Sequence, residues 1–407
     1  MSYHLLRRNE LTFKANAQRG RHGWLRLTPA FSALAAQMAL ERAGSRRHAI
    51  DPFAGTGTTA LVCAEHSTPC DLAEINPFLS WLCRVKTRNY TPSDTLEARL
   101  LAQTAIQKTI QGVPDWGRWI PPIHNIERWW APRRQKILAS LLASLWENQD
   151  AKAEARDLVL IAFCRVAIEW SSAAFNHQSL SFKTPSMSLF EEDETIVIME
   201  HFLKEVENIL SSAEKPVGAP IRVFETDSRS IDEAVVDKYD LVITSPPYPN
   251  RISYVRELRP YMYWLGYLRK ARDAGDLDWQ AIGGTWGAAT SRLAAWQPDN
   301  PNVNTPLLRS ISERIAKNSP ILANYVLRYF HDMATHLSRL TNILQPGAKV
   351  FYIVGNAKFY DTLVPTEELL KQQMLDMGYR HVTIEPLRKR NSKKELYEYL
   401  ISADWQK

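Results

Sequence analysis

Cysteine is scarce in this sequence, and its spacing offers no metal site. Only 4 cysteines occur in 407 residues, and no two of them form a Cys-x-x-Cys pair or accompany a matching histidine cluster. Zinc sites and disulfide frameworks need such patterns. We therefore expect neither a metal nor disulfide bonds, and the composition fits a protein of the reducing cytoplasm.

Long hydrophobic runs are also absent. The most apolar stretch, Leu158–Ile168, is interrupted by Arg165 and is shorter than the roughly 20 residues that span a bilayer. Residues Met1–Arg21 are basic and polar, which excludes an ordinary signal peptide. We therefore expect no membrane partner, and the lack of internal repeats indicates an ordinary globular chain.

The charge balance favours an anionic partner. The chain has a net charge of +6 and an isoelectric point near 9.0. Residues 1–27 form a basic arm, which either contacts phosphates or is a solvated terminus. Residues 116–134 interleave tryptophan with arginine, which suits stacking on nucleic acid or packing at an interdomain seam. The arm holds one acid, Glu10, against Arg7, Arg8, Lys14, Arg19 and Arg21.

A glycine-containing turn follows the short apolar run His48–Ile50. It reads Asp-Pro-Phe-Ala-Gly-Thr-Gly-Thr-Thr from Asp51 and leads into helical residues. Gly55 and Gly57 allow a tight turn and a close approach of a ligand to the backbone, and the helix N-terminus offers free amides. The third glycine of a dinucleotide fingerprint and the Gly-Lys-Thr of a P-loop are both missing, which disfavours these two kinds of site.

An acid stands where a ribose would be bound. Glu74 ends the next strand-like run, about 20 residues after Gly55, and a carboxylate at this place accepts both ribose hydroxyls. Asn76-Pro77 then predicts the start of another helix. The two stretches together indicate a nucleotide-type cofactor site.

The third stretch is Thr244-Ser245-Pro246-Pro247-Tyr248, after the apolar run Asp240–Ile243. A β-branched run that ends in two prolines predicts a buried parallel strand that stops abruptly. Its carboxyl end is where open α/β sheets bind ligands. The Ser245 hydroxyl, the Pro246 carbonyl and the Tyr248 ring would face a flat base that carries an amine.

These stretches resemble the DNA amino-methyltransferases, which methylate the exocyclic amine of cytosine or adenine with S-adenosyl-L-methionine. The resemblance implies catalytic roles for Ser245, Pro246, Pro247 and Tyr248. It also implies that Leu27–Ser32, a helix start at Thr28-Pro29 with an apolar face, packs beside the methionine end of the cofactor, and that Asp227 or its neighbour accepts the adenine amine. The implied cofactor-binding residues are Thr28, Asp51, Phe53, Gly55, Gly57, Thr58, Glu74, Asn76 and Asp227.

The implied fold is α/β: a seven-stranded, Rossmann-like class I S-adenosylmethionine-dependent methyltransferase core with a helical insertion and a loop-rich insertion. The core takes residues 1–96, 216–268 and 321–407, the helical insertion 97–215. The loop-rich insertion, 269–320, adjoins Tyr248 and is the candidate target-recognition region. A basic turn is a candidate DNA-binding element and contains Arg388, Lys389, Arg390, Lys393 and Lys394.

The resemblance implies a site-specific enzyme that methylates a flipped-out cytosine at N4, since Ser before Pro-Pro-Tyr is typical of the cytosine enzymes. Double-stranded DNA is then the partner, and a separate restriction endonuclease acting on the same site would accompany a modification enzyme. The alternatives are an adenine-N6 DNA methyltransferase, an RNA or protein amine methyltransferase, and an inactive cofactor-binding, DNA-binding protein.

Overall fold

A computed structural model describes residues 9–25, 27, 31–112, 119–174, 181–182, 193–250, 253–284, 288–298, 305–390 and 395–406. Thr28, Lys393 and Lys394, which the sequence marks as site residues, lie outside these ranges. No helix in the described ranges is long and apolar enough to cross a membrane. The four cysteines are buried and unpaired.

The protein is mixed α/β. Its strands are β1 Ala49–Asp51, β2 Cys70–Glu74, β3 Ala173–Ala174, β4 Ser181–Phe182, β5 Ile221–Glu225, β6 Tyr239–Thr244, β7 Leu344–Gly355, β8 Ala357–Phe359, β9 Thr362–Val364, β10 Arg380–Lys389 and β11 Tyr397–Trp405.

Seven strands form the main sheet, in the order β10-β11-β7-β6-β1-β2-β5. Strands β5, β2, β1, β6 and β7 are parallel, and β11 is antiparallel to both of its neighbours. The chain runs outward from β1 to β5 and restarts on the other side of β1 with β6. The carboxyl ends of β1 and β6 therefore meet at a topological switch point, where such sheets bind ligands. The structure confirms the strands that the sequence predicts before the glycine-containing turn, before Glu74 and before Ser245, and the predicted number of seven strands.

Helices cover both faces of the sheet. They are α1 Ala33–Ala43, α2 Thr58–Glu65, α3 Pro77–Thr87, α4 Pro92–Gln111, α5 Pro132–Glu147, α6 Ala153–Glu169, α7 Glu194–Ala213, α8 Ile231–Ala234, α9 Tyr254–Trp264, α10 Ala271–Gln280, α11 Ala288–Ala295, α12 Pro306–Ala316, α13 Pro320–Thr341 and α14 Thr366–Asp376.

The first helix starts later than the sequence predicts. Its N-cap is Ser32, whose side chain accepts a hydrogen bond from the amide of Leu34. The buried face consists mainly of alanines, including Ala36 and Ala39, whereas Met38 is only partly buried. Helix α1 therefore begins at Ala33 because Ser32 supplies the cap, and Thr28-Pro29, where the sequence predicts the helix start, lies outside the described residues.

Helices α4 to α7 form one helical group. Their apolar side chains share a core with Phe78 of α3 and Trp264 of α9. Helix α4 begins with a capping box at Thr91, whose side chain accepts from the Asp94 amide while the Asp94 carboxylate accepts from the Thr91 amide. The predicted boundary between residues 96 and 97 therefore falls inside a helix.

The segment 269–320 is not loop-rich. Its described residues contain α10, α11 and α12, and two of these helices have clear amino-terminal features: a carboxylate of Asp273 at α10 and the Thr305 hydroxyl at α12. The buried side chains of α12, Leu308, Ile311 and Ile315, join the core around α13. The prediction of a loop-rich insertion is wrong in this respect.

Candidate active site

The Ser245–Tyr248 turn leaves β6 at the carboxyl edge of the sheet. The hydroxyl of Ser245 donates to the main-chain oxygen of Ile353 in β7 at 3.0 Å, and its Oγ lies 3.5 Å from the phenol oxygen of Tyr248. Because the hydrogen is directed at Ile353, the lone pairs of Ser245 remain available as acceptors. The described residues supply no donor to the Pro246 carbonyl, so two acceptors lie side by side in sequence.

Two tyrosines from outside the turn hold it in place. The hydroxyl of Tyr329 in α13 donates to the Pro247 carbonyl at 2.7 Å, and the hydroxyl oxygen of Tyr254 in α9 accepts from the Tyr248 amide at 2.8 Å. Burial raises the pKa of Tyr254 to about 12 and that of Tyr329 well above its usual range, so both stay neutral near pH 7. The turn is fixed before any substrate binds, as catalytic groups require.

The ring of Tyr248 packs against the backbone of Gly355, the last residue of β7. A Cβ built on Gly355 would lie 2.7 Å from Cδ2 and 2.8 Å from Cε2 of this ring. The guanidinium of Arg390 lies over the Tyr248 ring, with Cζ 5.5 Å from the ring centroid. Sequence reasoning missed Gly355, although a glycine at the end of a strand pattern is a signal of close backbone approach.

Asp51 joins the glycine-containing turn to the catalytic strand. Its Oδ1 accepts from the Phe53 amide at 3.0 Å and from the Thr244 hydroxyl, and its Oδ2 accepts from the Thr59 hydroxyl. The side chain is fully buried, which raises the pKa of Asp51 to about 6. Asp51 therefore positions the two halves of the site relative to each other, and both of its oxygens are already bonded within the protein.

The glycine turn has the conformation that its residues predict. Gly55 and Gly57 have φ angles of 51° and 75°, and Gly57 caps α2, which begins at Thr58. A Cβ on Gly57 would meet Cys83 Sγ at 3.3 Å, whereas a Cβ on Gly55 would meet nothing nearer than 3.9 Å. The space over Gly55 is therefore open to a ligand, and Gly57 is required by packing as well as by its φ. The half-buried ring of Phe53 packs on His336 with centroids 4.6 Å apart.

Glu74 lies directly beside this turn. Its Oε2 accepts from the Gly55 amide at 2.8 Å and its Oε1 from the Asn76 amide at 2.9 Å. Asn76 caps α3 through its side chain, as predicted. Burial raises the pKa of Glu74 to about 7, and the two amide donors act in the opposite direction. Each carboxylate oxygen keeps lone-pair capacity for a further donor, such as a ribose hydroxyl.

A buried lysine of α3 holds the glycine-containing turn through a hydrogen bond. The Nζ of Lys86 in α3 donates to the Thr56 carbonyl at 2.6 Å, and Cys83 Sγ lies 3.4 Å from the Gly55 carbonyl. Burial lowers the pKa of Lys86 to about 8. Sequence reasoning missed this residue, although its spacing from Phe78 and Leu82 places it on the apolar face of α3.

Asp227 follows β5 and is engaged by a neighbour. Its carboxylate accepts from the amide and the guanidinium of Arg229, which also pairs with Asp332 at 2.7 Å. Arg229 reaches further, to the Gln280 carbonyl at the end of α10. The carboxylate expected to accept an adenine amine is thus held in an ion pair that connects the edge of the site to α10 and α13.

The basic turn after β10 contributes one residue to the site. Arg388 pairs with Glu398 through two hydrogen bonds, whereas Nη1 of Arg390 donates to the Asn356 carbonyl at 2.9 Å beside the Tyr248 ring. Lys389 ends β10 and is half-buried. Arg390 is therefore part of the candidate active site, and Arg388 is bonded within the protein.

Two basic residues of the arm, Arg19 and Arg21, are bonded to the protein, whereas Arg7 and Arg8 lie outside the described residues. Arg21 is buried, and its guanidinium donates to the carbonyls of Lys86, Ala213 and Lys215 at 3.0, 2.7 and 2.8 Å. Arg19 pairs with Glu65. A phosphate-contacting role for Arg21 is therefore excluded by its burial, since its donors satisfy carbonyls at the ends of α3 and α7.

The tryptophan-rich stretch packs inside the helical group. Trp129 and Trp130 are buried, and the indole of Trp130 donates to the Ala167 carbonyl at 2.6 Å. Arg133 and Arg134 pair with Asp193 and Glu194. Trp129 and Trp130 therefore pack in the core of the helical group, whereas Trp119 is 37% exposed and its indole donates to the Tyr263 carbonyl at 2.8 Å.

Within the described ranges, one trio of side chains is close enough to hold a metal: Glu169, His201 and Glu205. The indole of Trp170 donates to Nδ1 of His201 at 2.9 Å, and Nε2 lies 2.9 Å from Glu169. A metal on Nε2 would move the ring hydrogen to Nδ1, opposite the indole donor. We interpret the trio as a hydrogen-bonded contact between α6 and α7.

The chain is similar over most of its length to known proteins. It is 23% identical to the type II methyltransferase M.AvaI of Nostoc sp. strain PCC 7120. The alignment covers 96% of this chain and 86% of M.AvaI. It is 20% identical to the type II methyltransferase M.MvaI of Kocuria varians, over 82% of this chain and 75% of the relative. The chain is 21% identical to M.BsoBI of Geobacillus stearothermophilus, also a type II methyltransferase, over 96% of this chain and 85% of M.BsoBI. No family model matches the chain.

Proposed function

Because the chain is a relative of the DNA methyltransferases over most of its length, we propose that it methylates the N4 amine of a cytosine extruded from double-stranded DNA. The observation that carries the proposal is the arrangement at the end of β6. The Ser245 hydroxyl donates its hydrogen to Ile353 and keeps its acceptor capacity, beside the Pro246 carbonyl and the Tyr248 ring.

The residues of the turn bind and orient the amine. Ser245 Oγ and the Pro246 carbonyl accept hydrogen bonds from the two amine hydrogens, which withdraws the nitrogen lone pair from conjugation with the base. As the new N–C bond forms, the nitrogen releases one of these two protons to solvent. Tyr248 stacks on the base and restores part of the few kcal/mol that flipping costs. S-adenosyl-L-methionine, when bound, supplies an electrophilic methyl group on a sulfonium that leaves as a neutral thioether.

The residues around the glycine turn fit this cofactor. Glu74 has one amide donor on each oxygen, which leaves capacity for two ribose hydroxyls. The space over Gly55 is open, and the amino end of α2 favours a carboxylate group. Asp51 connects this half to Thr244, one residue before Ser245.

We extend the proposal to the architecture. The strand order and the antiparallel β11 support a Rossmann-like class I methyltransferase core, with the α4–α7 group and residues 269–320 as insertions. A target-recognition role for residues 269–320 is supported by Gly283, where a Cβ would lie 3.6 Å from the Tyr248 carbonyl oxygen. A modification enzyme of this kind would act beside a separate restriction endonuclease with the same site.

The test is to offer labelled cofactor with duplex DNA, RNA and protein in parallel. We expect label in duplex DNA alone. Label in RNA or protein instead of DNA would establish an amine methyltransferase with another substrate. Binding of both cofactor and duplex DNA without transfer to any of the three would establish an inactive cofactor-binding, DNA-binding protein. The Ser245→Ala variant, tested in the same reactions, separates transfer at this site from contamination.

A further inference from the structure

A small hairpin carries an aromatic residue where glycine is expected. Strands β8 and β9 pair through Phe359 and Thr362, so Tyr360 and Asp361 form a two-residue turn. Tyr360 has a φ of 52°. The two-residue turns that join β-hairpins place glycine, asparagine or aspartate at such positive-φ positions, because a bulky side chain is strained there.

The ring of Tyr360 does not compensate for this strain within the protein. Its relative exposure is 52%, and no described residue makes a hydrogen bond or ring contact with it. His381 offers a comparison, since it also has a φ of 52° but its Nδ1 forms a hydrogen bond with Oδ2 of Asp404 at 3.0 Å. A strained backbone conformation whose cost is not offset by contacts of its side chain is a reason to look for function.

The hairpin stands on the same edge of the sheet as the candidate active site. It begins two residues after Gly355, which contacts the Tyr248 ring. Lys358 pairs at 2.7 Å with Glu395, beyond the basic turn that carries Arg390. The hairpin is therefore tied to the segment that touches Tyr248.

Helix α13 connects the hairpin to the catalytic turn. The buried ring of Phe359 packs on Tyr325 of this helix, with centroids 5.9 Å apart. One helical turn further, Tyr329 donates to the Pro247 carbonyl. The hairpin and the catalytic turn are thus held by one rigid element, and the backbone of Tyr360 has a fixed position relative to Tyr248.

We propose that Tyr360 contacts the DNA duplex next to the target base and stacks on the bases that its extrusion uncovers. This inference rests on the proposed function. Aromatic and apolar side chains stabilise opened base steps by insertion or stacking. The turn fixes the backbone from which the exposed ring projects, so no backbone ordering is needed when DNA binds.

The test uses three variants and two duplexes. Tyr360→Asn removes the ring and suits a positive φ, Tyr360→Phe keeps the ring, and Val236→Asn is the matched control. Val236 is also exposed apolar, at 91%, but it precedes β6 and so lies at the opposite edge of the sheet. One duplex carries the sequence that the parent protein selects by binding from a random pool of duplexes. The other has the same target strand, with an abasic site in the complementary strand opposite the target base.

Single-turnover methyl transfer and duplex binding by fluorescence anisotropy are measured for the parent and each variant on both duplexes. We expect Tyr360→Asn to weaken transfer and binding on the paired duplex by about 5- to 150-fold, the range of one base-stacking contact. On the abasic duplex, where extrusion costs less, the loss shrinks to within about threefold. Tyr360→Phe and Val236→Asn behave as the parent, and the melting temperature of Tyr360→Asn does not fall.

Equal behaviour of Tyr360→Asn and parent on the paired duplex would overturn the inference, as would equal losses on both duplexes. These outcomes leave methylation by the parent untouched. A parent that binds the duplex but transfers no methyl group overturns the proposed function alone, since the binding comparison still decides the role of Tyr360. A parent that neither binds nor methylates DNA overturns both.

Discussion

Replacing Gly355 by alanine tests how the Tyr248 ring is held. The new Cβ would lie 2.7 Å from Cδ2 of the ring, whereas ordinary contact begins at 3.4 Å. The φ of Gly355 is outside the positive range, so alanine is compatible with its backbone. The substitution therefore acts through the clash, and the ring must retreat by about 0.7 Å.

The expected cost follows from this displacement. A misplacement of about 1 Å in groups that position a substrate reduces the rate by on the order of 100-fold, so we expect kcat to fall by about 10- to 100-fold. Cofactor affinity should not change, because Gly55 and Glu74 lie on other elements. Overpacking of this kind costs about 1 to 3 kcal/mol of stability.

A double-mutant cycle makes the assignment specific. Methyl transfer to duplex DNA is measured in single turnover for the parent, Gly355→Ala, Tyr248→Ala and the double variant, with thermal unfolding as the control for folding. We expect Gly355→Ala to cause no further loss once the ring is absent. A parental rate in Gly355→Ala, or losses that multiply in the double variant, would refute the reasoning.

Three further predictions concern the two halves of the site. Because burial raises the pKa of Glu74 to about 7, we expect cofactor affinity to fall as the pH drops below 7. The stability of the cofactor-free protein changes in the opposite direction: protonated Glu74 stabilises the fold at low pH, and this stability is lost as the pH rises through 7. Calorimetry and thermal unfolding from pH 5.5 to 8.5 should show both effects, and Glu74→Gln should bind weakly, with neither dependence; a parental pH profile in this variant would count against it. Gly57→Val should lose cofactor binding in calorimetry, because valine meets Cys83 and a positive φ, and tight binding by the folded variant would contradict the loop assignment. Ser245→Ala should retain cofactor affinity and lose about 100-fold in kcat, the usual cost of one preorganised contact to a reacting group; an unchanged kcat would remove Ser245 from the chemistry.

The sequence predicts the sheet well because its strands carry local signals. The apolar runs before Asp51, Ser245 and Gly355 are short, β-branched and closed by glycine or proline, so their ends are visible without tertiary information. Residues 269–320 show the opposite case. Thr305-Pro306 and the spacing of Leu308 and Ile311 did signal a helix, but the surrounding Gly, Asn and Trp residues concealed it.

Charged residues are harder to place, because a charge does not reveal its partner. Arg21 looks like part of a solvated arm in the sequence, yet it is buried and bonded to carbonyls that come together only in the fold. Asp227 looks like a free acceptor, but the nearby Arg229 engages it. Gly355 and Lys86 support the site through contacts with Tyr248 and Thr56 that no spacing rule predicts.

Nucleoside analysis of modified DNA tests the central claim most directly. DNA is treated with the purified protein and S-adenosyl-L-methionine, digested to nucleosides and separated by mass spectrometry, with Ser245→Ala as the control. The acceptor pair of Ser245 and Pro246 beside Tyr248 predicts N4-methyl-2′-deoxycytidine as the product. N6-methyl-2′-deoxyadenosine without N4-methyl-2′-deoxycytidine would contradict the assignment of the base, and the absence of both would contradict amine methylation of DNA.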